Sequence, residues 1–291
     1  MMHPAGSVII FTVASGLGFG LLTWLGLGLP NTVGWAAFWH YAVGFSLAGG
    51  GLLASTFHLG NPQRFLKAFS QWRSSWLSRE GCLSVAAMAV LGLFAIGLIF
   101  FRVSWQPLGY IGAILAVLTI IATSMIYAQL KTVPRWNHWT TPILFLFLSL
   151  GGGALLAFQT LPGLLLLALA GGVQLLAWYL GDGRFQKSGT DIGTATGLGV
   201  LGKVRAFEPP HTGNNYLLKE MVHQVGRKHA VKLRFIAFIM MILIPIGLLI
   251  ISHAVPIVVL ALVLHVIGTF IQRWLFFAEA EHVVGLYYGK R

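Results

Sequence analysis

Residues 8–29 of the chain, VIIFTVASGLGFGLLTWLGLGL, contain no charged side chain. A helix that crosses a membrane needs about 20 mostly apolar residues, so this stretch is long enough to span one. Seven further segments of this kind follow, at 34–57, 81–101, 107–130, 140–159, 161–180, 235–252 and 254–277. The sequence therefore predicts an all-α polytopic membrane protein with eight transmembrane helices, organised as a single domain over residues 1–291.

Composition supports the same class of protein. The chain is 57% hydrophobic and 9% charged, with a mean hydropathy of +0.81. A soluble domain carries roughly 25% charged residues, so we expect no separate soluble domain. The net charge of +12 would suggest a nucleic-acid partner in a soluble protein. Here we attribute it to membrane topology and lipid headgroups, and we expect no nucleic-acid partner.

The cationic residues are distributed unevenly along the predicted topology. Every Lys and Arg except Arg102 lies in an even-numbered connection or near a chain end. The even-numbered connections are the loops at 58–80, 131–139 and 181–234. Short cationic segments stay on the cytoplasmic side of a membrane. We therefore expect both termini and these three loops to be cytoplasmic.

Two other classes of membrane protein are disfavoured. No Asp, Glu, Lys or Arg falls in the middle of a predicted segment, whereas ion-coupled transporters usually carry intramembrane charge. A haem-bearing cytochrome needs a pair of axial histidines. His40 and His58 share one predicted helix and would lie about 27 Å apart along it. His40 and His253 could pair at the outer face, and His265 is isolated, so haem remains an alternative.

The only cysteine, Cys82, limits the redox centres of the chain. One thiol cannot form an internal disulfide, and a cysteine-ligated iron–sulfur cluster needs about four thiolates. We expect no metal site on this chain.

The loop at 181–234 is long and chemically mixed, which is typical of a binding segment. It contains a GxGxxG pattern at 197–202. No strand or βαβ unit accompanies that pattern, so we interpret it as a glycine-rich loop and not a dinucleotide site. Beyond residue 215 the spacing of apolar residues predicts an amphipathic helix at the cytoplasmic interface, with its apolar face formed by Leu217, Leu218, Met221, Val222 and Val225.

The most specific cluster joins the ends of the second and third segments. His58 opens the stretch HLGNPQR, which ends at Arg64, and Glu80 closes the stretch WLSRE. Quinone chemistry moves two protons with two electrons, and one His and one carboxylate at the lipid–water boundary suit it. In the alternative, Glu80 caps a helix and pairs with Arg79 or Arg64 while His58 reaches the interface. Spacing alone leaves both open.

These motifs resemble the membrane anchor subunits of the dimethyl sulfoxide reductase family. The resemblance covers nearly the whole chain and rests on the eight segments, the motifs HLG at 58–60 and SRE at 78–80, and the stretches TATGLGVLGKVR at 194–205 and FEPPHTG at 207–213. It implies a menaquinone or ubiquinone site and no haem. The quinone-site His and Glu of the family correspond to His58 and Glu80, with Arg64, Ser78 and Arg79 as neighbouring candidates.

The resemblance also implies partners. Anchors of this family dock a ferredoxin-like subunit with [4Fe–4S] clusters, which connects them to a molybdopterin catalytic subunit. We expect the loop at 58–80 to contact the iron–sulfur subunit together with the long loop. The residues expected to dock are Lys203, Arg205, Phe207 and His211.

Orientation separates two kinds of relative. Sulfoxide reductases of this type export their catalytic subunits from the bacterial inner membrane, whereas sulfite-oxidising quinone reductases keep them in the cytoplasm. The charge distribution places the His58 loop in the cytoplasm. We therefore expect sulfite oxidation coupled to quinone reduction, with menaquinol-oxidising sulfoxide reduction as the alternative.

Overall fold

The computed structural model describes residues 5–56, 62–208, 213 and 229–289, with the backbone alone at 62–65. Within these residues all regular secondary structure is helical and no strand occurs. This confirms the all-α prediction. We number the long helices α1 to α8, and their bounds are Gly6–Gly26, Trp35–Thr56, Trp76–Phe101, Gln106–Ala128, Thr140–Leu156, Thr160–Gly181, Ala230–Ile251 and Val255–Ala278.

Six of these helices, namely α1, α3, α4, α6, α7 and α8, are long and apolar enough to cross a membrane. Helix α2 has 22 residues but is less apolar, because it contains His40 and several glycines. Helix α5 has 17 residues and ends at Leu156, earlier than predicted. The predicted spans are thus confirmed for six helices, and for α2 and α5 they remain a prediction.

Two helices begin five residues before their predicted starts. Helix α3 begins at Trp76, where the Ser75 carbonyl accepts a 3.0 Å hydrogen bond from the Arg79 amide. Helix α7 begins at Ala230 and so includes Arg234, whose charge is neutralised by two carboxylates. Both extensions occur because polar side chains near the helix start find partners in the folded protein.

Helix α1 forms the centre of the bundle and packs on α2, α4 and α5. Small residues permit this close approach. A Cβ atom at Gly18 would collide with the Ala48 backbone on α2, and one at Gly20 would collide with the Ser149 carbonyl on α5. Side chains from α3, α4 and α8 complete the main hydrophobic core around α1.

Pro245 interrupts α7, as its position inside the predicted segment indicates. Because proline has no N–H, the carbonyl four residues earlier, on Met241, loses its helical donor. A π-helical segment at Ile239–Leu243 precedes the proline. Nδ1 of the buried His265 on α8 lies 2.9 Å from the Met241 oxygen, and a carbonyl only accepts, so Nδ1 donates. Through this bond His265 replaces the helical donor that Met241 lacks, which is a structural role.

Three segments pack together on one face of the bundle, which we call the loop face: residues 131–139, 181–208 and 279–289. The Arg184 Nε atom donates to the Pro134 carbonyl at 2.9 Å. The Val283 amide donates to the Thr132 carbonyl at 3.0 Å. The start of α3 and the end of α4 reach the same side. The described parts of the predicted even-numbered connections therefore all lie on the loop face.

Candidate functional site

Glu80 lies in the second turn of α3 and is 3% exposed. Its Oε1 atom accepts a hydrogen bond from the Thr123 hydroxyl on α4. From the sequence, Glu80 was expected at a helix N-terminus. That placement is wrong because α3 begins at Trp76, and the carboxyl faces the neighbouring helix. A carboxyl held in this way can accept or release a proton at a fixed position.

Arg79 does not pair with Glu80. Its Nε atom donates to the Trp72 carbonyl at 3.0 Å and its Nη2 atom to the Arg73 carbonyl at 2.7 Å. The guanidinium carbon lies 4.4 Å from the centroid of the Trp76 ring. Arg79 therefore folds the loop onto the start of α3, and the predicted alternative of an Arg79–Glu80 pair finds no support.

Ser78 has a similar positioning role. Its hydroxyl oxygen accepts a 3.2 Å hydrogen bond from the Gln71 amide, and its side chain is buried. A Cβ atom on Gly81 would lie 3.1 Å from the Phe69 ring, so the loop covers the first turns of α3 closely. The 3₁₀ helix Pro62–Phe69 in this loop packs against α3.

Two predicted site residues cannot be placed. His58 lies outside the described residues, two positions beyond the end of α2 at Thr56. The backbone of Arg64 belongs to the 3₁₀ helix Pro62–Phe69, and its side chain lies outside the description. The proximity of His58 to Glu80 therefore remains a prediction.

Arg273 is a candidate that was not predicted from the sequence, where it was counted among the charges of the C-terminal end. The structure places it inside α8, 1% exposed. Its guanidinium carbon lies 3.5 Å from the centroid of the Phe145 ring. The signal was available, because Arg273 falls inside the predicted segment at 254–277. The lack of intramembrane charge is accordingly no longer an argument against a transporter.

Tyr127 links Glu80 and Arg273. Its hydroxyl is within electrostatic reach of both. Glu80, Thr123, Tyr127 and Arg273 therefore form one group, which we call the buried polar cluster. Aromatic rings surround Tyr127, with centroids 5.4 to 5.8 Å away, on Trp136, Phe145, Phe276 and Phe277.

A closed set of ion pairs lies on the loop face, which we call the ion-pair ring: Arg135, Asp182, Arg234 and Glu279. Arg234 binds Asp182 through two bonds of 2.7 and 2.8 Å and Glu279 through one of 2.6 Å. Arg135 lies 2.5 Å from Asp182 and 3.3 Å from Glu279. The hydrogen bond from Arg234 is the main cause that lowers the pKa of Asp182 to about 2. The ring joins the ends of three helices, α6, α7 and α8, to the segment 131–139.

The predicted docking residues Lys203, Arg205 and Phe207 are all exposed, whereas His211 lies outside the described residues. Phe207 is 93% exposed, and Val200 and Leu201 are nearly as open. Single exposed apolar residues are ordinary, but several together mark an interaction surface. We call these five residues, Val200, Leu201, Lys203, Arg205 and Phe207, the exposed patch.

Local hydrogen bonds hold the segment that precedes the exposed patch. Asp191 caps the short helix Ile192–Thr196 through a 2.7 Å bond from the Thr194 amide, and the Thr194 hydroxyl bonds back to the Asp191 amide. The Tyr287 hydroxyl donates to the Ala195 carbonyl at 2.9 Å. No strand precedes the GxGxxG pattern in the part of the chain that the structure describes, which agrees with its interpretation as a loop.

Two histidines that were considered as haem ligands, His40 and His265, make hydrogen bonds to backbone carbonyls. His40 uses Nδ1 to bond the Ala36 carbonyl of its own helix at 2.7 Å. His265 uses Nδ1 on Met241, as described above. Across the described ranges, no group of three or more His, Cys, Asp or Glu side chains is arranged to hold a metal ion.

Comparisons with known proteins identify the family of this chain. The family model for the DMSO reductase anchor subunit (DmsC) matches residues 2–172. The chain is 31% identical to the C subunit of the sulfite dehydrogenase of Allochromatium vinosum, over 99% of each chain. No solved structure matches. With eight long helices, a buried carboxyl at the start of α3 and a family match over more than half its length, the chain belongs to the DmsC family of membrane anchor subunits.

Proposed function

We propose that this chain is the quinone-reactive anchor subunit of a molybdopterin and iron–sulfur oxidoreductase, and that it passes electrons between the iron–sulfur subunit and the quinone pool. The observation that carries the proposal is the Glu80 carboxyl. It is buried beside Thr123 beneath a folded loop, on the same face of the bundle as the exposed patch. Family membership supports the same function.

The proton chemistry follows from these positions. Reduction of a quinone to a quinol takes two electrons from the partner and two protons. Glu80 supplies one proton to one ring oxygen at a position set by Thr123, and His58 is proposed to hydrogen-bond the second ring oxygen and to supply the other proton to it. Helix α2 packs mainly on α1 and α3 mainly on α4, so α2 and α3 make few contacts with each other. A flat ring can then enter between them from the lipid.

The exposed patch is proposed to dock the iron–sulfur subunit with its [4Fe–4S] clusters, which in turn contacts the molybdopterin subunit. Lys203 and Arg205 supply positive charge, and Phe207 supplies an apolar anchor of the kind that dominates interface energetics. His211 and the loop at 58–80 complete the proposed surface.

We propose that the loop face and both termini are cytoplasmic and that all eight helices cross the inner membrane, and the distribution of the cationic residues supports this orientation. In this orientation the partner subunits are cytoplasmic. We therefore favour sulfite oxidation with quinone reduction, and the name of the Allochromatium vinosum relative points the same way. A sulfoxide reductase that oxidises menaquinol is the second candidate. The quinone is ubiquinone or menaquinone.

Purification of the tagged chain from native membranes at low salt tests this function. We expect two further subunits, one with iron and acid-labile sulfide and one with molybdopterin, and extractable quinone. A visible spectrum with haem b bands on the purified chain, or purification of the chain alone with none of these components, would contradict the proposal.

A further inference from the structure

Several buried polar atoms inside the bundle have no hydrogen-bond partner among the described residues. Two of them, the hydroxyl of Tyr41 and Nε2 of His265, lie elsewhere in the bundle, and the other four are Oε1 of Gln174 on α6, Oε1 of Gln272 on α8, and Nε and Nη1 of Arg273 on α8. Each unpaired buried group costs about 1 to 3 kcal/mol. Since three such residues lie in neighbouring helices, they indicate bound water.

A cavity of about 40 Å³ lies where that water is needed, lined by Gln174 and Gln272. A water molecule needs about 10 to 15 Å³ of such space and two to four polar partners, so this cavity holds a small number of waters. Sites for organic ligands measure about 300 Å³ or more, so a quinone ring does not fit.

The cavity leads toward the loop face. Arg135 and Glu279 form one of its walls, and the same two residues line a larger space of about 290 Å³ that also borders Asp182 and Arg234. The ion-pair ring is thus the partition between the two spaces. The two carboxylates of the ring differ in exposure: the Asp182 side chain is 52% exposed, whereas the Glu279 side chain is 6% exposed. Asp182 therefore faces the outer space and Glu279 the inner cavity.

The other end of the cavity leads toward Glu80. Phe145 and Phe276 line the cavity, and the Arg273 guanidinium lies over both rings at 3.5 and 5.9 Å. Tyr127 packs on the Phe145 ring, with centroids 5.8 Å apart, and the charges of both Arg273 and Glu80 act on its hydroxyl. A further space of about 10 Å³ is lined by Phe145 and Thr123, the hydrogen-bond donor to Glu80.

We propose that a water-filled passage runs from the ion-pair ring, past Gln174 and Gln272, to Arg273 and Tyr127, and that it delivers protons from the loop face to Glu80. The inference rests on the proposed function. Each time Glu80 gives a proton to a quinone that has taken up electrons from the partner, the passage replaces that proton. Arg273 is a positioning residue that holds water through Nε and Nη1 and stabilises the carboxylate that Glu80 becomes.

Hydroxyl-radical labelling of the full chain by X-ray radiolysis of water tests the hydration itself, independently of activity. Phe145 and Phe94 are equally buried in the main core, but only Phe145 lines the cavity. We expect Phe145 to be oxidised at least threefold faster than Phe94, and Gln272→Leu to remove that difference. Labelling of Phe145 no faster than that of Phe94 would show a dry cavity and overturn the passage.

Turnover of the whole complex tests proton delivery. Gln174→Leu with Gln272→Leu should slow quinone reduction at least threefold and raise the solvent deuterium isotope effect, with quinone KM unchanged. Gln159→Leu, in the connection between α5 and α6, is the matched control and should change neither. If Glu80→Gln slows quinone reduction and the double variant does not, the passage is wrong and the proposed function stands. If Glu80→Gln has no effect, the proposed function fails.

Discussion

Thr123 on α4 donates its hydroxyl hydrogen to Oε1 of Glu80 on α3, and this bond turns the carboxyl toward the inside of the bundle. The bond explains why Glu80 neither caps α3 nor pairs with Arg79. It also places an acid group beneath a loop that closes over the start of the helix. The proposed quinone chemistry depends on this position more than on any other contact in the chain.

Thr123→Val should lower quinone-coupled turnover several-fold. The substitution keeps the shape of the side chain but removes the donor, which leaves the buried carboxyl without this partner at a cost of about 1 to 3 kcal/mol. We expect kcat to fall and its pH profile to move, with quinone KM little changed, and Thr123→Ser to restore both. Steady-state kinetics of the complex measure this.

Thr119→Val is the matched control for that variant. Thr119 lies one turn earlier on α4, is fully buried, and its hydroxyl donates to the Leu115 carbonyl of its own helix. Its loss should leave the kinetics unchanged. Equal effects of the two substitutions would mean that the Thr123 hydroxyl contributes to packing alone.

Reversing the charge of the exposed patch should release the partner subunits. In Lys203→Glu with Arg205→Glu, two cations that face the proposed partner become anions, and surface electrostatics of this kind weaken further as salt rises. Washed membranes should lose the soluble subunits, more so at high salt. Arg102→Glu, on the opposite face of the bundle, should leave the complex intact. Full retention in the double variant would exclude the exposed patch as a main contact.

The ion-pair ring predicts a stability change in acid. Asp182 has its pKa lowered from 3.8 to about 2, mainly by the bond from Arg234. A group whose pKa is depressed by folding stabilises the fold above its unfolded pKa, and that stabilisation is lost as the pH falls toward the folded value. Melting temperatures in detergent should therefore fall between about pH 4 and 2 by more in the native chain than in Asp182→Asn.

Glu208→Gln serves as the control for the acid experiment, because Glu208 is exposed on the loop segment. It should reproduce the pH dependence of the native chain. Identical curves for the native chain and Asp182→Asn would show that the Asp182 bonds contribute nothing measurable.

The sequence predicted the elements of this fold better than it predicted their contacts. Apolar length located all eight long helices, because a helix that crosses a membrane needs about 20 mostly apolar residues. The starts of α3 and α7 were placed too late, since Ser78, Arg79 and Arg234 enter the helices only where tertiary partners receive them. No local pattern reveals such partners.

Some residues of the candidate site were predicted from the sequence and others were missed. Glu80 was identified as a carboxylate near His58 at the ends of two predicted segments and then through the family motif. Its partner Thr123 was missed, because a threonine on an apolar helix resembles any other. Arg273 was counted among the charges of the C-terminal end although it falls inside the predicted segment at 254–277, and a charge inside a membrane segment is unusual. Lys203, Arg205 and Phe207 were predicted as a surface, and the structure exposes all three.

Turnover should add no membrane potential. The exposed patch belongs to the loop face and the buried polar cluster lies at the end of the bundle beneath it, so both electrons and protons are proposed to reach the quinone from the same side of the membrane. Sealed vesicles of known orientation, with terminal oxidases blocked and quinone added, should show no potential that follows turnover. A membrane potential that scales with the turnover rate would contradict the proposal that electrons and protons reach the quinone from the same side of the membrane.

The central claim is that Glu80 and His58 handle the protons of quinone chemistry. The most direct measurement compares two activities of the assembled complex in Glu80→Gln and His58→Ala: quinone-coupled turnover, and turnover with a dye that takes electrons from the molybdopterin partner. We expect a loss of more than tenfold in quinone-coupled turnover, a barrier increase of about 1.4 kcal/mol or more, with dye activity unchanged. Native quinone kinetics in both variants would contradict it.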